Sequence, residues 1–212
     1  MALITDVDLL RIEPTLFTDT ADVATVLHEA TDGSLTGTTL TSPGSDFAAR
    51  DVGAGRVAVL KGEPVEVVSR QGATQLTVSR PRPDDEAPLI DPTAGSALSI
   101  TVPTFDRQIA RIEAWLLASL GFDTTGVGLG VDPAAILNPD DLGRLIALET
   151  ITRVLQAAAA LDPTDESLKL RADVYLAERA AARLSTEVIL DLDGDGTADA
   201  TRRVNVVAMA RQ

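Results

Sequence analysis

The chain has no cysteine, one histidine, and aromatic residues at 3% of its 212 positions. Without cysteine there is neither a disulfide framework nor thiolate chemistry. A zinc site built from His28 alone would need three carboxylates around it, an unusual ligand set. The scarcity of aromatics predicts a core of Leu, Val, Ile and Ala and counts against an aromatic-lined ligand pocket. Basic residues are also few: 18 Lys and Arg stand against 32 Asp and Glu, a net charge of -14. No basic run offsets this, so a phosphate backbone would be repelled from most of the surface. Long apolar runs are missing too. "VLQAAAAL" falls far short of the roughly 20 residues that span a bilayer, and Asp6 and Asp8 stand where a secretory leader would carry basic residues. The expectation is a non-membrane protein that is not exported by that route.

What is present falls into segments of different texture. Residues 1–22 read as a short amphipathic helix, carrying Val7, Leu9, Leu10 and Ile12 and broken at Pro14, followed by a linker. Residues 23–103 are β-rich, with short Val/Leu/Thr runs punctuated by Gly, Pro, Asp and Ser. The clearest hairpin is "RVAVLKGEPVEVVSR", whose alternation breaks at Lys61-Gly62-Glu63 and then resumes. "RPRPDDEAPLIDPTAG" reads as an exposed loop. From residue 104 to 186 the period becomes helical: Ile109, Ile112, Leu116 and Leu120 form one stripe, Leu142, Leu145, Ile146, Leu148 and Leu155 a second, and Leu168, Ala172, Tyr175 and Leu176 a third. Residues 187–212 read as a hairpin with an extended tail. The fold class expected is α+β: a C-terminal α-helical bundle, a small antiparallel β domain inserted near the N-terminus, and a C-terminal β-hairpin with its tail.

Catalytic constellations are sparse. His28 alternates with Leu27 along a strand, no Gly-x-Ser-x-Gly elbow occurs, and Glu149 and Glu178 read as lone carboxylates of solvated helices. No catalytic residue is assigned and no enzyme is expected.

"DLDGDGTADATRR" is the most distinctive stretch. Asp191, Asp193, Asp195 and Asp199 occupy positions 1, 3, 5 and 9 of a calcium loop, with Gly196 at its sharp turn. Arg202 stands at position 12, where such a loop closes on a bidentate Glu. The flanks "TEVILDL" and "RRVNVVAMARQ" alternate like strands, so the aspartates read as a hairpin tip carrying at most a weak, optional calcium site.

Three stretches together, "DLLRIEPTLF", "RADVYLAERAAARLS" and "VILDLDGDGTADATRRVNVVAMAR", make the chain similar to the head-to-tail adaptor (connector) proteins of long-tailed bacteriophages and gene transfer agents. The resemblance covers mainly the helical half and the C-terminal tail. It implies a structural virion protein located in the neck and assembled in the host cytoplasm. There it would form a homo-oligomeric ring, commonly dodecameric, docked under the portal and joined to a tail, stopper or terminator protein, with DNA passing through its lumen. An acidic wall suits passage without adhesion. Arg202, Arg203, Val204, Val206, Val207, Met209 and Arg211 would form the docking segment. The alternative from the residues alone is a calcium-stabilised binding module whose β region recognises a ligand.

Overall fold

In the computed structural model, which describes residues 3–123 and 130–204, the chain opens with α1 (Asp6–Ile12) and a short α2 (Leu16–Asp19). The Thr5 N–H donates to the Asp8 carboxylate at 2.7 Å, covering one of the donors a helix start leaves open. Six strands follow: β1 (Thr25–Thr36), β2 (Thr39–Thr41), β3 (Val57–Leu60), β4 (Glu63–Arg70), β5 (Gln75–Ser79) and β6 (Gly95–Thr104). All pair antiparallel in the order β1-β2-β5-β4-β3-β6, and β6 returns to β1 to close a barrel. The expected hairpin is β3–β4, turned by Lys61 and Gly62 at φ 49° and 86°, the positive-φ pair that matches the twist of the flanking strands.

Closure depends on β1, whose 12 residues serve both β2 and β6. The β1–β6 register shifts on either side of Gly33, and a Cβ at that position would lie 2.8 Å from Ile100 Cδ1. A side chain there would have to displace the end of Ile100 and would crowd the Leu98 carbonyl at 3.0 Å, so glycine suits the close approach of the two strands. Inside, Leu35, Leu40, Val65, Val67, Leu76, Val78 and Ile100 form one buried cluster with Phe47 and Val52, and Phe17 meets Phe105 at 5.2 Å between ring centroids.

This corrects the expected fold class. The β region is a closed six-stranded barrel that forms its own compact unit, Thr5–Asp106, together with α1 and α2; it is not a small β domain inserted into a helical protein. The helices do not make the expected bundle either. In the second unit, α3 (Asp106–Ser119) leads to a 3₁₀ turn (Pro133–Ala135), then α4 (Pro139–Leu161) and α5 (Glu166–Ser185). The close pair is α4 with α5. A bundle member buries a stripe along its whole length, whereas α5 fully buries only Leu168 and Ala172. Asp165 caps α5 through its carboxylate, which accepts from the Ser167 and Leu168 N–H groups. Among the described residues, no helix is long and apolar enough to cross a membrane.

Asp6 ties α1 to the end of β6. Its fully buried carboxylate accepts from the Thr104 hydroxyl at 2.6 Å and the Phe105 N–H at 2.9 Å. Burial outweighs these bonds and pushes its pKa from 3.8 up to about 6, so the folded unit holds this proton more tightly than the unfolded chain does. Asp6 therefore subtracts stability as pH rises from about 4 to about 6, in total about 2–3 kcal/mol at 1.36 kcal/mol per unit. Asp6→Asn keeps an acceptor for Phe105 and removes the titration. The stability difference between variant and wild type should shift in favour of the variant by that amount between pH 4 and pH 7, measured by urea unfolding across the range.

Candidate docking hairpin

β7 (Glu187–Leu190) and β8 (Ala200–Arg203) form a two-stranded sheet in which Glu187 faces Arg203 and Leu190 faces Ala200. Val188 and Leu190 are buried, the inward face that the alternation of "TEVILDL" predicts. Leu192, expected on that same face, lies past the end of the strand and is 54% exposed.

The two strands differ in how far their backbones are satisfied. β7 is engaged on its second edge as well: Leu137 N–H donates to Ile189 O, Asp191 N–H to Ala135 O, and Ile189 N–H to the Asn138 side chain at 2.8 Å. Asn138 also donates to Glu187 O at 2.7 Å, so the residue that begins α4 sets the hairpin's position. β8, among the described residues, is bonded on one side only. Val204 N–H donates to Thr186 O, and antiparallel alternation then turns the N–H and C=O groups of Thr201 and Arg203 outward.

The hairpin and the end of α3 (residues 118–121) line a cleft of about 930 Å³, to which the hairpin contributes Glu187, Thr201, Arg202 and Arg203. The Arg202 guanidinium donates to the Leu120 carbonyl and lies 5.4 Å from the centroid of the Phe122 ring. That is a cation placed on the open carbonyls of a helix C-terminus. Arg203 pairs with Glu187 at 2.7 Å on an exposed rung. Of the expected docking residues, the structure thus places Arg202 and Arg203 on the cleft wall and Val204 just beyond β8. Val206, Val207, Met209 and Arg211 lie outside the described residues.

At the tip, Asp191, Asp193 and Asp195 each offer an oxygen within 4.8 Å of the others. Asp199 is not one of that group. Its carboxylate accepts from the Leu192 N–H at 2.7 Å and the Asp193 N–H at 3.3 Å. Asp191 accepts from the Gly196 and Gly194 N–H groups, and these bonds hold its pKa below the usual carboxylate range. The tip is thus closed by side chain to backbone bonds of the Asx-turn kind, while Arg202 is drawn away toward α3.

Three polar clusters elsewhere were not legible as such. His28 Nε2 lies 2.7 Å from Ser45 Oγ, which contacts Ser42 Oγ, which donates to Asp32. The order is wrong for a nucleophilic triad, because the carboxylate accepts from a serine and not from the imidazole. Burial, with Arg50 next, lowers the His28 pKa. Glu66 is buried between Arg11 and Arg82, and Arg82 is itself a buried residue inside the loop expected to be exposed. Glu149, expected on a solvated helix face, is fully buried among Arg153, Arg179 and Arg183. The one local sign was spacing: Arg153 follows Glu149 by four residues, and Arg183 follows Arg179 by four.

Compared with protein-family models, with curated proteins and with solved structures, the chain matches none.

Proposed function

We propose that this protein is a structural assembly subunit, a head–tail adaptor of a virus-like particle, that docks by accepting an extended segment of an adjoining protein along β8. What carries the reading is the outer edge of β8, which pairs with no other strand among the described residues and whose Thr201, Arg202 and Arg203 line the cleft. Exposed strand edges pair with other chains unless protected, and strand addition gives affinity through the main chain and selectivity through pockets beside it. The other strands do not compete for that role: the six of the barrel are closed on one another and β7 is bonded on both sides. The resemblance noted from "VILDLDGDGTADATRRVNVVAMAR" supplies the neighbours, a portal on one side and a tail component on the other, and a ring as the assembled form. A surface of net charge -14 suits a wall along which DNA moves without being held.

The experiment is incorporation into particles. Thr201→Pro removes an outward N–H without touching a bond to β7. Purified protein should keep its circular dichroism and melting temperature, whereas particles complemented with the variant should carry at least tenfold less of it. Normal incorporation of the folded variant would sink the reading.

A further inference from the structure

α5 is a 20-residue helix, and the face it turns away from Leu168 and Ala172 is not polar. Leu170, Val174, Ala177, Ala181 and Leu184 recur along it at alternating steps of four and three, and all five are exposed, Leu170 at 67% and Leu184 at 71%. That is the spacing of a two-stranded coiled-coil seam, and it forms a contiguous exposed apolar stripe of the kind that marks an interaction surface.

We infer that the occupant is α5 of a second copy, packed antiparallel across a two-fold axis. The large and small side chains of the seam are complementary to one another in that direction. Antiparallel pairing sets Leu170 against Ala181 and Val174 against Ala177 of the second copy, so each large side chain meets a small one, as interdigitating layers require. In the same register Arg171 and Glu178, which flank the seam on one side, pair reciprocally between the copies, while Asp173 on the other side meets Ala180. Parallel pairing would stack Leu170 on Leu170 and leave Ala177 facing Ala177 across a gap. It would also bring Asp173 beside Glu178 of the second copy, setting one carboxylate pair against the single opposite-charge contact of Glu166 with Arg171, whereas the antiparallel register makes the Arg171–Glu178 contact twice and no like-charge one. A contact of this kind closes at two subunits, so it describes the free subunit and stands whether or not the adaptor reading holds.

Sedimentation or light scattering across a concentration series reaching hundreds of micromolar should show twice the 22.2 kDa chain mass. Ala177→Glu changes an exposed helix position to a good helix former, so it should keep the fold and give the single-chain mass. Arg171→Glu should weaken pairing at least tenfold, and adding Glu178→Arg should restore it. Because the chain has no cysteine, Leu170→Cys mixed with Ala181→Cys should oxidise to a cross-linked pair, and Leu170→Cys alone should not. A single-chain mass at every concentration overturns the inference, as does an oligomer that survives Ala177→Glu. Cross-linking of Leu170→Cys alone overturns the antiparallel register.

Discussion

Glu66→Ala should destabilise the barrel unit by about 3–5 kcal/mol, the range for removing one partner of a buried ion pair. Glu66 is 1% exposed and lies 3.2 Å from Arg11 and 3.0 Å from Arg82, whose side chains are 16% and 5% exposed. Its carboxylate also accepts the Arg82 N–H. Truncation strands a backbone donor and two guanidiniums together. Arg82 retains bonds to the Asp85 and Ala87 carbonyls, and Arg11 retains its contact with Asp85, but Asp85 is 86% exposed and compensates weakly. At roughly 4–8 °C per kcal/mol for a unit of this size, melting should fall by at least about 12 °C. Glu66→Gln, which keeps one acceptor and the shape, should lose less. A fall of only a degree or two in the alanine variant would mean that the arginines find water instead.

Glu149→Ala should cost the helical unit about 3 kcal/mol, the low end of the same range, because its three arginines are 24% to 43% exposed and partly hydrated. Arg183 lies 2.5 Å from the carboxylate, Arg179 3.4 Å and Arg153 3.7 Å. Removing the carboxylate leaves three like charges converging, and among the described residues the buried Nε atoms of Arg179 and Arg183 meet no hydrogen-bond partner. Trp115, the chain's single tryptophan, reports on this cluster: the guanidiniums of Arg153 and Arg183 lie 5.5 Å and 4.9 Å from its ring centroid. The variant should therefore unfold earlier when followed by tryptophan fluorescence, with a changed native emission. An unchanged spectrum and midpoint would contradict the assignment of Glu149 as the anchor of the cluster.

These two carboxylates also mark where the sequence stopped being legible. Local periodicity predicts the β3–β4 hairpin, the inward stripe of α3 and the alternation of β7, because each depends on neighbours within a few residues. Barrel closure depends on β1 serving two partners, one of them about 70 residues away, with Gly33 and its register shifts making the fit. No window along the chain contains that information. Arg82 looked like part of a solvated proline-rich loop because Glu66, its partner on β4, is distant in sequence. Glu149 looked solvated for the same reason: Arg179 and Arg183 stand about 30 residues further on. On α5 the stripe Leu168, Ala172, Tyr175 and Leu176 has the spacing of a bundle face, but only Leu168 and Ala172 are buried, because spacing shows which residues share a face and not how much of that face is covered. In the hairpin, Arg202 at the twelfth loop position argued against a closed calcium cage from sequence alone. The structure adds where that side chain goes, to the Leu120 carbonyl.

The proposed reading requires that this chain be carried in the particles of a virus or gene transfer agent, and cryo-electron microscopy of such particles tests that central claim most directly. The account predicts a ring at the neck, each subunit resolving a six-stranded barrel and an α4–α5 pair, with an extended segment of the adjoining protein hydrogen-bonded along β8 from Thr201 to Arg203. A neck without this chain, or a ring in which that edge of β8 faces solvent, would contradict it.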